Sequence, residues 1–410
     1  RLRHQDIHKI VDVFTKQTEL AKYSRMVSRA EIEANDFNLN IPRYIDATEP
    51  EDLQDIEAHL KGGIPNRDVE GLAPYWQVCP GLKSQLFAPA DRSGYSRLAV
   101  ESNSIKNTIF DNAEFIAFTS SVSNKFGQWK NSVTPALKGI AIGSHPKQMI
   151  EQISEELLKI FRGTVGARRA VPLHDGVKLI DPYDVYQHLM TYWSETMQDD
   201  VYLLVQEGWQ AVIEGKPNTD LIPPGLIVSR YFSAEQQQIE QLEAARDAIN
   251  RQMEELEEEN SGEDGLLEEA RTDKGKLTSK SIKDRLKAIK GDRDAVDERK
   301  RLEQYLELIE QESAANKKVK DVEKGLDAQV AARYATLSES EVKTLVVDDK
   351  WLATLAADVQ TELDRVSQAL TSRIRQLAER YATPLPMVTQ EVEALSATVD
   401  AHLKRMGFVW

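Results

Sequence analysis

The chain has 410 residues, of which 41% are hydrophobic and 29% charged, a composition typical of globular, helix-rich proteins with two or three domains. Its longest apolar run, residues 221–228, contains two prolines and is far shorter than the roughly 18 residues of a membrane span, and the lone Cys79 excludes an internal disulfide framework and a cysteine-rich zinc site. We therefore expect a cytoplasmic protein without a membrane partner.

The formal net charge of −15 argues against a protein that grips DNA over a broad surface, because such proteins use basic faces to displace counterions. Residues 1–230 carry 25 basic and 30 acidic side chains, and residues 231–410 carry 27 and 37. Only the first 30 residues are net basic, with seven basic and three acidic side chains. Direct DNA contact is therefore expected near that end or at a local patch, although a solvated loop is the simpler interpretation of the patch, which comprises Arg162, Arg168, Arg169 and Lys178.

The N-terminal residues 1–47 predict an amphipathic helix, then a connector and a second short helix. Ile7, Ile10, Val11 and Phe14 follow the i, i+3, i+4, i+7 spacing of one helix face. Pro42 is expected to prevent a helix across this point and to leave residues 43–44 extended. By itself, this pattern is typical of the edge of a domain.

Residues 48–230 predict a compact helical domain in which glycine and proline break helices of moderate length. The predicted helices include residues 51–61, 105–118, 146–161 and 181–199. The last of these has Asp181 as its cap and Pro182 in its first turn, where a missing N–H costs little. Its aromatic-rich face is expected to lie in the core and not to form a base-stacking site; it comprises Val185, Leu189, Tyr192, Trp193 and Met197.

Residues 231–335 predict an antiparallel coiled-coil arm. Leu242, Ile249 and Leu256 are seven residues apart. A second helix is expected after Gly275, capped by Ser279 or Ser281, with a shifting stripe of Ile282, Leu286, Ile289, Val296, Leu302, Leu306 and Ile309. Because neither narrow stripe is stable alone in water, the two helices are expected to pair.

Residues 336–410 predict a pair of long helices. Ser338 and Glu341 have the spacing of a capping box, Leu337 and Val342 that of a hydrophobic staple, and Gly407 that of a C-terminal glycine. The first stripe comprises Leu352, Leu355, Val359, Leu363, Val366, Leu370, Ile374, Leu377 and Tyr381, and the second Val388, Val392, Leu395, Val399, Leu403 and Met406. These stripes could fold onto the rest of the chain or join a bundle with another subunit.

No catalytic constellation is evident. His4 and His8 have the i, i+4 spacing of a helical metal pair, but no third ligand is indicated, so surface histidines are expected. Phosphate-binding glycine loops and a GxSxG elbow are absent from the sequence.

Several segments resemble the modification subunit of type I restriction-modification systems, an adenine-N6 DNA methyltransferase. They comprise residues 3–14, 23–28, 35–46, 56–66, 179–209, 273–276, 349–351, 377–381, 384–386 and 402–408, among them Tyr183-Asp184-Val185-Tyr186-Gln187-His188. The resemblance implies that residues 1–47 are the trailing edge of the methyltransferase core. It also implies that the C-terminal helices engage the specificity subunit, with the restriction subunit and DNA as further partners in the full complex.

Such an enzyme needs a glycine-rich turn for S-adenosylmethionine and an (N/D)PP(Y/F) loop for the flipped adenine. The nearest strings, 222–225, 181–183 and 140–144, each depart from these patterns. We therefore expect the catalytic domain to lie upstream of Arg1, no cofactor to bind here, and the chain alone to be inactive.

Two interpretations follow for a mainly α protein with a helical domain, a coiled-coil arm and a terminal helix pair. The first is the C-terminal assembly region of a type I modification subunit, in which the candidate partner-binding residues are Leu352, Leu355, Val359, Leu363, Val366, Leu370, Ile374, Leu377, Val392, Leu395, Val399 and Leu403. The second is a stand-alone helical scaffold that self-associates through its arm and has no nucleic-acid role.

Overall fold

A computed structural model describes residues 2–47, 53–162, 179–260, 265–272, 274–292 and 295–407. The chain is mainly α, as predicted. Its contacts divide it into two units: unit 1 comprises residues 1–208 and 351–410, and unit 2 comprises residues 209–350. In the part of the chain so described, no helix is both long and apolar enough to cross a membrane. The four-part domain division stays a prediction.

The α-helices, in chain order, are α1 (His4–Lys16), α2 (Arg29–Ala34), α3 (Ile56–Lys61), α4 (Asn66–Glu70), α5 (Ala73–Val78), α6 (Pro80–Leu86), α7 (Ile105–Phe110), α8 (Ala113–Lys138), α9 (Pro146–Arg162), α10 (Pro182–Tyr192), α11 (Gln198–Glu207), α12 (Pro224–Tyr231), α13 (Ser233–Glu259), α14 (Ser279–Ala288), α15 (Val296–Tyr334), α16 (Glu339–Lys343), α17 (Ala353–Arg380) and α18 (Leu385–Arg405). Two π-helices, Trp193–Met197 and Thr344–Leu352, precede α11 and α17.

The strands are short and serve as local connectors. They are β1 (Ile64–Pro65), β2 (Phe87–Pro89), β3 (Tyr95–Leu98), β4 (Val212–Ile213) and β5 (Lys216–Pro217). The first three form an antiparallel sheet with β3 in the middle, in which Ile64 faces Ser96 and Phe87 faces Leu98. Strands β4 and β5 form a separate hairpin.

Helix α8 carries the central apolar face of unit 1. Its buried side chains recur every three or four residues, so one face of the helix is apolar along its full length; they are Phe115, Phe118, Val122, Phe126, Trp129, Val133 and Leu137. The Trp129 Nε1–H donates to the Ile153 carbonyl of α9 over 2.8 Å. Because this indole is buried, the hydrogen bond satisfies a donor that would otherwise be costly.

Two sequence predictions for unit 1 were wrong in detail. Residues 105–118 form two helices, because the Asn112 side chain accepts a hydrogen bond from the Phe115 N–H over 2.9 Å and starts α8 there. Residues Ile41–Arg43 form a 3-10 helix and not an extended tail. Pro42 lies in its first turn, where proline's missing N–H removes no helical hydrogen bond.

The arm of unit 2 is an antiparallel pair of α13 and α15. The Tyr305 hydroxyl near the start of α15 donates to Glu257 near the end of α13, and the Arg333 guanidinium near the end of α15 lies 4.3 Å from the Tyr231 ring, just before α13. Because one contact joins the start of α15 to the end of α13 and the other joins the end of α15 to the start of α13, the two helices run in opposite directions. A supercoiled arrangement stays a prediction.

The predicted second helix of the arm is interrupted. Helix α14 ends at Ala288 and α15 begins at Val296, with Gly291 between them. Thr278, not Ser279 or Ser281, caps α14, and Ser281 closes the capping box. A buried cluster then joins α14 to the arm; it comprises Leu256, Leu267, Ala270, Ile282, Ile289, Leu302, Tyr305 and Leu308.

The capping box and the C-terminal glycine predicted for residues 336–410 are confirmed. Ser338 Oγ accepts from the Glu341 N–H over 3.3 Å, and Glu341 Oε2 accepts from the Ser338 N–H over 2.9 Å. The two hydrogen bonds that the Glu341 carboxylate accepts, from the Ser338 N–H and from the Ser338 hydroxyl, lower the pKa of Glu341 to about 2. Gly407 has φ +88°, the left-handed conformation that favours glycine at a helix end.

Candidate functional site

Helix α1 is attached to the rest of unit 1 by its polar face. The Asp12 carboxylate accepts hydrogen bonds from the Arg162 guanidinium at the end of α9 and from the Tyr183 hydroxyl in the first turn of α10, the latter over 2.9 Å. Both charged side chains are largely buried, at 12% exposure for Arg162 and 13% for Asp12. This ion pair ties α1 to two helices at once. We call Asp12, Arg162 and Tyr183 the α1 latch.

Further polar contacts extend the latch along α1. Lys9 Nζ lies 2.7 Å from Asp181 Oδ2, the carboxylate that also caps α10. One turn earlier, the Gln5 side chain donates to Asp184 Oδ1 over 3.2 Å, and the Gln5 N–H donates to Gln187 Oε1 over 3.0 Å. The side of α1 that faces α10 is therefore held by hydrogen bonds and charges, and Gln5 is the one residue of α1 that is buried.

The electrostatics of the latch favour the charged form of Asp12. Burial would raise the pKa of Asp12, but hydrogen bonds from Lys16 and Tyr183 and the positive charge of Arg162 outweigh it, so the pKa is lowered. Burial raises the pKa of Tyr183, and its hydrogen bond to Asp12 adds to the effect. The latch thus holds a carboxylate and a neutral phenol at neutral pH.

His8 occupies the space between α1, α9 and α10. Its Nε2 lies 3.5 Å from both Asp12 Oδ2 and Glu155 Oε1, and its ring lies 4.7 Å from that of Tyr186. His8 is therefore packed at a helix junction, not at the surface as predicted. Across the described ranges, no group of three or more metal-ligating side chains is assembled around this histidine or elsewhere.

Helix α10 connects the latch to α17. On its other side, His188 Nε2 lies 2.9 Å from Glu362 Oε1, and the Arg365 Nε–H donates to Glu362 Oε2 over 2.7 Å. Burial would raise the pKa of Glu362, but these two hydrogen bonds outweigh it and lower the pKa. The predicted aromatic-rich face of this region is buried or half-buried, as expected for core. Side chains of the segment Tyr183–His188 thus hold α1 on one side and α17 on the other.

The apolar face of α1 is exposed. Ile7, Ile10, Val11 and Phe14 have exposed fractions of 50%, 46%, 56% and 84%. The predicted helix is present, but the usual arrangement of a surface helix is inverted, because its charged side is against the protein and its apolar side faces outward. We call these four residues the α1 face.

The segment after α1 adds further exposed apolar side chains. Met26, Phe37, Leu39 and Ile41 are all more than half exposed. Asp36 and Phe37 both have positive φ, of 53° and 57°, which is uncommon for a non-glycine residue and rarer still for an aromatic one. This backbone holds Phe37 outward in a conformation that costs free energy.

The predicted partner-binding residues fall into two groups. Those of α17 and the residue before it are all buried within unit 1, where α17 packs on α7, α8 and α10; they are Leu352, Leu355, Val359, Leu363, Val366, Leu370, Ile374 and Leu377. Those of α18 are solvent-accessible: Val392, Leu395 and Val399 are 55–62% exposed, and Leu403 is half-buried. A partner can therefore reach α18 directly, whereas it could reach the α17 residues only by displacing helices of unit 1. Their role in partner binding stays a prediction for both groups.

Tyr381 fixes the start of α18. Its hydroxyl donates to Asp68 Oδ2 over 3.1 Å and accepts from the Asp55 N–H over 3.4 Å. Pro384 then caps α18, whose apolar residues Val388, Val392, Leu395, Val399 and Met406 are all exposed. We call these five residues the α18 stripe. No residue of α18 is buried, although α3 contacts it.

The predicted DNA-contact patch is only partly described. Arg162 belongs to the latch, where its charge is neutralised by Asp12, so it is not free to contact phosphate. Arg168, Arg169 and Lys178 lie outside the described residues. The sequence reasoning missed the pairing of Arg162 with Asp12. A signal was present in the second, polar stripe of α1, formed by Gln5, Lys9, Asp12 and Lys16 at helical spacing.

The described residues do not fit S-adenosylmethionine. The described strands have two to four residues, and none is followed by a glycine-rich turn leading into a helix. Asp181-Pro182-Tyr183 forms the start of α10 and Pro223-Pro224 the start of α12, so neither string is a loop that could receive a flipped base.

No curated protein and no solved structure matches this chain. One protein family does match, over the segment that contains α1, α2 and the strained loop at Asp36 and Phe37. Residues 1–53 match the model of the family described as N-6 DNA Methylase, which relates the N-terminal segment of this chain to adenine-N6 methyltransferases.

Proposed function

We propose that this chain is the C-terminal assembly region of a type I restriction-modification DNA methyltransferase subunit. In this proposal it joins a methyltransferase core, which binds S-adenosylmethionine and methylates adenine N6, to the DNA-specificity subunit. The restriction subunit and DNA are reached mainly through the assembled complex. The chain's own role is to hold helices in place, not to perform chemistry.

The observation that carries the proposal is the inverted attachment of α1. A helix whose apolar side is exposed gains about 1.5–3 kcal/mol for each large side chain that a partner covers. The α1 face lies within the segment that matches the N-6 DNA methylase family, and charged groups fix its opposite side. A methylase core is therefore the occupant that best fits the α1 face.

The α18 stripe supports the second half of the proposal. Its residues recur at steps of three and four over most of a helix whose start is anchored by Tyr381. Such a face is typical of a helix that packs into a bundle with helices of another chain. We assign the specificity subunit to the α18 stripe.

Co-purification tests this assignment. A tagged specificity subunit should capture the 410-residue chain, and the double variant Val392→Asp with Val399→Asp should weaken capture about 100-fold or more, since two apolar contacts are replaced by buried charges. A charged substitution on α17 would not serve in this test, because a charge at the buried Leu363 would unfold unit 1.

The matched control places the same charges on the opposite side of α18. Gln390 and Ala397 are exposed and lie about 180° from the stripe, so Gln390→Asp with Ala397→Asp should leave capture unchanged. Equal loss in both variants, or capture unaffected by the stripe variant, would contradict the assignment. A chain that self-associates through its arm and captures no specificity subunit would instead favour the stand-alone scaffold.

A separate measurement tests the α1 face. A methylase core expressed as a separate chain should co-purify with this protein, and Val11→Ser with Phe14→Ser should weaken that association. Both positions are exposed, so the variant should fold normally. Unchanged association would contradict the placement of the core on the α1 face.

A further inference from the structure

One segment at the tip of the arm, which contains α14, carries a concentrated positive charge in an otherwise acidic protein. Residues 274–292 contain seven basic and two acidic side chains, whereas the whole chain has a formal charge of −15. The acidic pair is Asp284 and Asp292. Such an excess over one short segment is the electrostatic signature of a polyanion-binding patch.

Three of these lysines lie on one face of α14. Lys280, Lys283 and Lys287 are spaced three and four residues apart, which places them within an arc of about 60° on the helix. Ile282 lies on the opposite side and is fully buried in the cluster that joins α14 to the arm. The apolar side thus fixes the helix, and the lysine side is turned to solvent.

The lysines keep most of their charge available. Lys280, Lys287 and Lys290 are exposed, and within the described residues Lys280 and Lys290 have no acidic partner. Lys287 Nζ lies 3.8 Å from Asp284 in a highly exposed pair, which contributes little. Lys283 pairs with Glu310 at 3.3 Å. By contrast, Arg285 is engaged inside the arm by Glu298 and supports the fold.

We infer that this lysine face contacts the phosphate backbone of double-stranded DNA without reading its sequence. Lys280 and Lys287 are about 10.5 Å apart along the helix axis, a span over which duplex DNA presents several phosphates. Lysine suits this task as a flexible point charge. The choice of DNA among polyanions rests on the match of residues 1–53 to the N-6 DNA methylase family.

An anionic membrane fits the patch less well. Helices that bind membrane surfaces bury an apolar side in the lipid, but Ile282 and Ile289 of this segment are already buried in the arm. The lysine face therefore offers charge without an insertion surface. This combination favours the phosphate backbone of duplex DNA, which is rigid and densely charged, over a membrane surface.

Fluorescence anisotropy of the 410-residue chain with a short labelled duplex of arbitrary sequence tests the inference. The triple variant Lys280→Gln, Lys287→Gln and Lys290→Gln should make the slope of log K against log salt shallower by about 2.7, or about 0.9 for each lost phosphate contact, which corresponds to binding roughly 10³-fold weaker at about 50 mM salt. Replacement of the same lysines by arginine should preserve the slope.

The matched control removes the same charge elsewhere on the arm. Lys317, Lys318 and Lys320 are exposed on α15, and their replacement by glutamine should change affinity less than about twofold. An equal loss in both triple variants, no loss in the α14 variant, or no duplex binding by the parent chain would overturn the inference. Tighter binding to phosphatidylserine vesicles or to polyglutamate than to the duplex would also overturn it.

The outcome is separable from that of the proposed function. Capture by the specificity subunit depends on the α18 stripe, which the lysine variants leave intact. Lysine-dependent duplex binding without such capture would support the DNA contact and refute the assembly role. Capture by the specificity subunit without lysine-dependent duplex binding would support the assembly role and refute the DNA contact.

Discussion

Replacing Arg162 with methionine should release α1 from unit 1 without unfolding the unit. The substitution removes the guanidinium that donates to Asp12 but keeps most of the side-chain volume. Asp12 is 13% exposed and would retain the hydrogen bonds from Tyr183 and Lys16, with His8 Nε2 at 3.5 Å. A hydrogen bond to a charged group contributes about 1.5–3 kcal/mol, so the docking equilibrium of α1 should shift about 10- to 150-fold toward release.

Hydrogen exchange of the α1 amides measures this shift. Exchange in α1 should accelerate by the same factor in Arg162→Met, while the amides of α8 keep their protection, because α8 belongs to the core of unit 1. The matched control is Lys16→Met. Lys16 contacts the same carboxylate over 2.6 Å, but it is 56% exposed and belongs to α1 itself. An exposed pair contributes less than about 1 kcal/mol, which corresponds to at most about fivefold faster exchange.

Comparable acceleration in the two variants would show that the partly buried ion pair has no special role. Unchanged α1 exchange in Arg162→Met would refute the reasoning altogether. Acceleration throughout α8 would show that Arg162 supports the core and not the attachment of α1.

Three further predictions concern stability. Leu363→Ala should destabilise unit 1 by about 2–5 kcal/mol in urea unfolding, whereas Leu395→Ala should stay within about 0.5 kcal/mol, because the first side chain is buried and the second is exposed; equal costs would contradict the placement of α17 and α18. Trp351→Phe removes the Nε1–H that donates to buried Asp200 over 2.7 Å and should cost about 1.5–3 kcal/mol, so unchanged urea stability would argue against that hydrogen bond. Because the pKa of Glu341 is lowered to about 2 in the folded chain, its contribution to the free energy of unfolding should be complete above about pH 4.3 and be lost as the pH falls through about 2. Between these two pH values, the thermal unfolding temperature should therefore change less with pH in Glu341→Ala than in the parent chain.

The elements that were predicted well are those whose signals are local. Asp181 and Pro182 mark the start of α10 because a cap and a first-turn proline need only the adjacent backbone. Ser338 and Glu341 are similar, since both hydrogen bonds of the capping box lie within four residues. The long stripe of α17 also predicted a helix that buries one face, since its period is set by the helix itself.

The location of the exposed surfaces could not be obtained in this way. The stripes of α17 and α18 have the same period, yet Leu363 is buried and Leu395 is exposed, because burial depends on which distant helices fold against each stripe. The α1 latch joins residues more than 100 positions apart, such as Asp12 and Arg162, and no spacing rule connects them. The break between α14 and α15 was missed because the apolar stripe continues across it, although Gly291 gave a hint.

Unit 1 is built from two separate stretches of chain, residues 1–208 and 351–410, with all of unit 2 encoded between them. During synthesis, helices α7, α8 and α10 therefore leave the ribosome long before α17, which supplies Leu363, Val366 and Leu370 to their core. Closing so long a loop is entropically less costly once the intervening residues have condensed into a folded body. We therefore expect unit 2 to fold before unit 1 is complete. Until α17 has been synthesised, the apolar faces of α7, α8 and α10 that it covers would stay exposed, and chaperones would bind them.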